Sequence, residues 1–253
     1  MDFGREVFFL YPPSVLQEQL LSIVVQAEYE VYLLKDHVRA RKVLRDYPDA
    51  IVFINIDEKI RDGTWEQWVA EMMTDPQTAS VRVGILSYNN DSQLARRYLL
   101  ELSVPCGFIQ LKLGITESAR ILLKVLEANE ARGQRKHVRA VIPPGAKVWF
   151  NVRSGRSIYR GRIRDLSAVG MACYFDDPVP WEVSDELADL QLNLRGQPVS
   201  LSGTVAGVRT TDTGRLFVIM FASVDSATRL RLYRFIHTTL QAAMDARIAA
   251  VQP

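Results

Sequence analysis

The apolar pattern of the chain changes period once, near Gly133, and this change limits the fold more than any other feature. Before it, short continuous apolar runs alternate with stretches at helical spacing; after it, short strands follow one another with turn signals between them. The runs Arg5–Tyr11, Tyr29–Leu34, Ala50–Ile56, Val81–Ser87 and Cys106–Leu111 read as strands. Helices are expected from Ser14, over His37–Asp46, Thr64–Met73 and Ser92–Leu102, and from a Thr116 cap to about Glu130. Pro12 and Pro13 stop the first strand, and Ser14 with Gln17 makes a capping-box pattern. Strands that are apolar throughout have both faces covered, so this half is expected to be a doubly wound, flavodoxin-like parallel sheet. Its functional edge would lie at the carboxyl ends of the strands.

The second half gives Lys147–Val152, Ser157–Arg164, Met171–Phe175, Leu190–Leu194, Val199–Val208 and Leu216–Phe221, each bounded by Gly, Pro or Asp. Six short strands in so short a stretch predict a small antiparallel barrel. Asp225 then opens a helix to about Ala249, with Leu230, Tyr233, Ile236 and Leu240 at helical spacing. The expected organisation is an α/β domain over 1–128, a basic linker over 129–139, and a barrel with terminal helix over 140–253.

Charge divides the chain at the same place. Residues 1–131 carry net −5 and residues 132–253 net +7, and the stretch 132–164 holds ten Lys and Arg with no acid. Interleaved with strand residues, such a block makes a face that attracts phosphates. Other classes recede. No apolar run approaches the ~20 residues of a membrane span. The charged start, Met1-Asp2-Phe3-Gly4-Arg5-Glu6, does not read as a signal peptide. Cys106 and Cys173 lack C-x-x-C spacing, and His37, His137 and His237 lack metal-ligand spacing, so a reduced cytoplasmic protein without metal or cofactor is expected. No phosphate-binding loop, nucleophile elbow or H-E-x-x-H is present, so no enzyme is expected.

Two motifs carry the functional argument. Arg135-Lys136-His137-Val138-Arg139 is an R-x-x-x-R, weak alone because Arg41/Arg45, Arg156/Arg160 and Arg160/Arg164 have the same spacing. Asp165-Leu166-Ser167-Ala168-Val169-Gly170 is a [D/N]-x-S-x-x-G, for which composition predicts about 0.07 chance occurrences. The arginines stand just before the barrel and the second motif at the turn after its second strand. A planar guanidinium can bond a pair of adjacent acceptors bidentately, and a carboxylate can accept from a pair of adjacent N–H donors. Phosphodiester charges need cations, which these arginines supply.

These residues resemble the PilZ domain, a bacterial module that binds cyclic di-GMP, over roughly residues 130–250. The resemblance implies a six-stranded barrel with a terminal helix. It assigns Arg135 and Arg139 to phosphate and guanine, Asp165 and Ser167 to a guanine edge, and Gly170 to the shape of the turn. Lys136, His137 and Arg164 are supporting positions. The first half resembles the CheY-like receiver domain, in degenerate form. Tyr11 and Pro12 stand where that family has its acidic pair, Asn55 is nearest the phosphoacceptor, and Ser87 and Lys112 match its hydroxyl and lysine. One carboxylate, Asp57, is a poor cage for a divalent ion, and Asp57 and Lys112 read as exposed polarity at strand ends. The expected protein is a cyclic di-GMP receptor that orders residues 131–138 on binding, changes its interdomain arrangement and signals to a protein partner through the first domain. The alternative is a ligand-independent adaptor acting by protein contacts alone. Nonspecific nucleic-acid binding by the basic stripe ranks third and is not expected, because the stripe has few exposed-looking aromatics to stack on bases.

Overall fold

The computed structural model describes residues 4–131 and 136–251, without the side-chain surroundings of 14–18. The chain divides into two units, Met1–Lys136 with Gln241–Pro253 and His137–Leu240.

The first unit alternates strand and helix. In order they are β1 (Val7–Leu10), α1 (Ser14–Gln26), β2 (Val31–Leu34), α2 (His37–Leu44), β3 (Ile51–Asn55), α3 (Trp65–Thr74), β4 (Arg82–Ser87), α4 (Ser92–Arg96), β5 (Phe108–Gln110) and α5 (Ile115–Ala128). The sheet order is β2-β1-β3-β4-β5, every pairing parallel. This is the receiver-like, doubly wound arrangement that the run-and-helix alternation predicted. All residues of β1 and β3 are buried.

Local chemistry fixes most boundaries. The Asp36 carboxylate accepts from the Val38 and Arg39 amides to start α2, and Thr64 with Gln67 forms a complete capping box on α3. Two starts differ from the sequence reading. Gly114, at φ +86°, takes the N-cap position of α5, so the helix begins at Ile115 and Thr116 does not cap it. Pro13 holds the N-cap position of α1, and the Ser14/Gln17 box lies outside the described side chains. The fifth strand is only Phe108–Gln110, because Leu111 enters a short 3₁₀ turn.

The second unit has seven strands: β6 (Arg139–Val141), β7 (Val148–Ser154), β8 (Ser157–Ser167), β9 (Gly170–Phe175), β10 (Glu186–Leu194), β11 (Gln197–Thr211) and β12 (Gly214–Phe221). Six of them close an antiparallel barrel in the order β8-β7-β10-β11-β12-β9, with β9 returning to β8. Strand β6 had no counterpart among the expected strands. It pairs with the last three residues of β8, beyond the point where β7 has left that edge. The interior is a cluster including Phe150, Leu166, Met171, Leu190, Leu192, Phe217 and Ile219.

Helix α6 (Ser226–Ala250) starts where Asp225 accepts from the Ala227 and Thr228 amides, at 2.9 and 3.0 Å. Hydrogen bonds from Thr228 hold the Asp225 carboxyl below the usual carboxylate range. The cap is therefore fully present above the ordinary carboxylate pKa and is lost as pH falls through the lowered folded value. Asp225→Ala is expected to lower the melting temperature by about 2–4 °C at neutral pH, and by less in acid, in a calorimetric scan.

Leu232 and Phe235, early in α6, join the barrel core, whereas the residues from Gln241 onward belong to the first unit. There the Gln241 amide pairs with edge strand β2, accepting from Leu33 N at 2.8 Å and donating to Leu33 O at 3.0 Å. Nearly two turns further, Arg247 donates to Asp46 and to the Tyr47 hydroxyl.

Candidate ligand site on the barrel

Strand pairing brings the two motifs together. Arg139 lies opposite Ser167 and Val141 opposite Asp165 in the β6–β8 ladder. Directly opposed residues of an antiparallel pair share a face. The residue between them, Ala140, is buried opposite the core residue Leu166, so Arg139, Val141, Asp165 and Ser167 stand on the outer face. Arg139 is thus the first residue of a strand and not part of a linker.

A β-bulge explains how Asp165 reaches that face. Ile163 pairs with Cys173 and Asp165 with Ala172, leaving Arg164 as the extra residue. Gly161 and Ile163 point inward; without the bulge the next inward position would be Asp165. The extra residue passes that role to Leu166 and turns the carboxylate outward. Arg164 itself is exposed, and its carbonyl accepts from Ile142 N at 2.8 Å.

Arg139 and Asp165 form an ion pair, with Nη1 3.6 Å from Oδ1. The guanidinium is about half exposed, whereas the carboxylate is only 17% exposed. Ser167 is buried and serves its own turn: Oγ donates to Gly170 O at 3.0 Å and accepts from Val169 N at 3.4 Å. Gly170 is required for space. A Cβ there would stand 2.5 Å from the Ile219 carbonyl oxygen on β12 and 3.2 Å from Met220 Sδ. Lys136 is exposed and His137 half-buried just before β6, and Arg135 lies outside the described residues. Four of the eight sequence-derived residues, Arg139, Asp165, Ser167 and Gly170, therefore gather on two successive outward-facing rungs of the barrel wall, with the buried Ala140–Leu166 rung between them.

The neighbourhood is polar and positive. The Tyr174 hydroxyl lies 3.3 Å from Thr211 Oγ1. Its pKa is lowered by hydrogen bonds from Thr211 and Thr213, helped by the charges of Arg164 and Arg209. Burial pushes the Cys173 thiol up, and Asp165 adds to the effect, so this sulfur stays protonated beneath the site. Of the tryptophans, Trp65, Trp68 and Trp181 are buried, but Trp149 is 43% exposed on β7.

The carboxyl edge of the first unit's sheet is differently furnished. Asp57 is exposed at the end of β3, as expected, and accepts from Ser87 Oγ and Tyr88 N, both at 2.6 Å, so it ties β3 to the end of β4. Asn55 donates to Tyr11 O at 2.9 Å, and Lys112 reaches Asn90 and not Asp57. Tyr11, at φ +52°, bonds His37, and both rings meet Trp65 edge-on. Aromatic rings and amide bonds stand where a receiver's acids would. Among the described residues, no three His, Cys, Asp or Glu side chains gather as a metal site, and no helix is long and apolar enough to cross a membrane.

Residues 133–238 match the family model described as the PilZ domain, so the barrel is a PilZ domain. No curated protein matches the chain. Among solved structures, the chain is similar to the PilZ domain with c-di-GMP of YcgR from Escherichia coli, at 18% identity over 45% of this chain and 97% of that one (TM-score 0.39). It is also similar to the MrkH–c-di-GMP complex of K. pneumonia, at 18% identity over 45% of this chain and 54% of that one (TM-score 0.38). A signal receiver domain of an HD domain-containing protein from Pseudomonas fluorescens Pf-5 matches at 16% identity, over 50% of this chain and 97% of that one (TM-score 0.41). The chain spans about half the length of the longer solved chains it matches, 51% for YcgR in complex with c-di-GMP.

Proposed function

We propose that the PilZ domain of residues 133–238 makes this chain a receptor for cyclic di-GMP, signalling to a protein partner and catalysing no reaction. The observation that carries the reading is the β6–β8 ladder, which places Arg139 and Asp165 on successive outward-facing rungs of one face. Arg139 offers its fork to phosphate or to guanine O6 and N7, and Asp165 accepts from guanine N1–H and N2–H₂. Ser167 and Gly170 hold the turn and the close approach to β12 that keep Asp165 in place. Arg135, Lys136, His137 and Arg164 add positive charge and donors around the phosphates.

The ion pair between Arg139 and Asp165 sets the selectivity. A ligand offering phosphate alone takes Arg139 from Asp165 and sets its own negative charge beside an unneutralised carboxylate, and like charges in contact repel. A ligand that also presents a guanine edge supplies donors to that carboxylate and offsets the repulsion. Guanine nucleotides carrying two phosphodiesters therefore fit best.

Titration calorimetry of cyclic di-GMP into the full-length chain tests the reading, with GTP as control. Binding near the micromolar range, about −8 kcal/mol, is expected. No heat at roughly 100-fold higher ligand concentration would favour the adaptor reading, in which only protein contacts count. The finer part is that binding changes the interdomain arrangement; the ordering expected over 131–138 falls mostly on 132–135, which lie outside the described residues, and Ala131 is already hydrogen-bonded to Arg5 and Leu126. The interdomain change is supported by the position of Arg139, two residues inside the boundary at which the barrel unit begins at His137. Superimposable solution-scattering profiles with and without ligand would remove that part alone. The same reading places the receptor in the cytoplasm and its protein contacts on the first unit.

A further inference from the structure

Two rungs cross the outer face of four neighbouring strands. One runs Arg139–Ser167–Gly170–Met220 and the other Val141–Asp165–Ala172–Val218. Between them the rung Ala140–Leu166–Met171–Ile219 is buried, which confirms which side is outside. At the two ends of this strip the structure exposes large apolar side chains, Val141 at 70% and Met220 at 40%. Between those ends stand Ser167, Gly170 and Ala172, among the smallest side chains available. The strip is a shallow trough with apolar ends, and three strand spacings, roughly 14 Å, separate β6 from β12.

We propose that Val141 and Met220 are the base-stacking residues of the nucleotide site, each taking one flat purine face. The inference rests on the cyclic di-GMP reading above and deepens it. Val141 stands directly opposite Asp165, so a guanine whose edge is held by that carboxylate lies against the isopropyl group. Met220 stands directly opposite Gly170, where a Cβ would come within 3.2 Å of its sulfur. The missing side chain leaves the polarisable thioether open to a ring from above. The separation of the two ends exceeds one purine, so a dinucleotide engages both and a mononucleotide only one. Neither of these two side chains carries a charge. The contribution of these residues is therefore independent of salt, unlike that of Arg139.

The test is calorimetric titration of cyclic di-GMP into the full-length chain and its variants Val141→Ala, Met220→Ala, the double variant and Met220→Leu, at low and at high salt. Partial burial of each side chain corresponds to about a fivefold loss for each alanine and about 25-fold for both, with the same ratios at both salt levels. Met220→Leu should bind nearly as wild type. GMP should lose affinity with at most one of the two single substitutions. Both side chains are exposed, so melting temperatures should not move and loss of fold is excluded directly. Alanine variants within about twofold of wild type, while Arg139→Ala still abolishes binding, would overturn the stacking role and leave the receptor reading standing. A wild-type chain that fails to bind cyclic di-GMP would overturn both.

Discussion

Arg139→Ala is expected to weaken cyclic di-GMP binding by about a hundredfold or more. A guanidinium fork makes two charge-assisted hydrogen bonds, each contributing on the order of 1.5–3 kcal/mol. The free protein loses its Arg139–Asp165 contact in the same variant, but a pair with a half-exposed partner contributes only about 0–1 kcal/mol. The difference leaves the bound state with nearly the whole loss. The variant also leaves Asp165 facing the incoming phosphates without its neutralising partner. Arg139→Lys keeps the charge but not the planar fork, and should recover only part of the affinity. Calorimetry gives the affinities and far-ultraviolet circular dichroism checks the fold. A loss below about threefold would remove Arg139 from the ligand site.

The largest effect on stability should come from Gly161→Ala. Gly161 pairs with Phe150 on one side and Phe175 on the other. An added Cβ would stand 2.5 Å from two atoms of the Phe150 ring and press on the Tyr174 carbonyl. Phe150 is completely buried and meets Phe175 edge-on at 5.0 Å, so neither ring has room to withdraw. Overpacking of this kind costs about 3 kcal/mol and should lower the melting transition of the barrel by about 12–24 °C. Gly207→Ala is the control, because a Cβ there meets nothing within 4 Å. Differential scanning calorimetry reads both variants, with the transition of the first unit as internal reference. Equal shifts for Gly161→Ala and Gly207→Ala would refute the steric account.

The architecture was legible because each half obeys one period. Val7–Leu10 and Ile51–Asn55 are apolar at every position, and only a sheet covered on both faces accepts that. In the barrel, the alternation through Tyr159, Gly161 and Ile163 marked the inward face of β8. Strand β6 was missed because three residues are too few to show a period, although Arg139-Ala140-Val141 already alternates. The bulge at Arg164 was equally hidden: it is a property of the pairing with Cys173 and Ala172 and not of β8 alone. The same limit applied to the site. Motif spacing pointed to Arg139 and Asp165, but their ion pair and the buried hydroxyl of Ser167 follow from register. Val141 and Met220 carried no motif at all. Only the rungs that join distant segments show them at the ends of one trough. Asp57 is exposed at the end of β3 as expected, but its hydrogen bonds to Ser87 and Tyr88 were hidden because those partners lie on another strand end.

The pairing of Gln241 with Leu33 bears on where this protein can be cut. Strand β2 is an outermost strand of its sheet, and the glutamine amide occupies the backbone groups of Leu33 that a foreign strand would otherwise use. A first half expressed alone, ending near residue 131, would carry β1–β5 and α1–α5 but not the helical tail from Gln241 that belongs to its unit, and would present that edge bare. Uncovered edges recruit strands from neighbouring molecules. The tail of the last helix is thus a guard against self-association for a domain encoded more than 100 residues upstream, and the two halves are interdependent in solubility even where each is complete in its core.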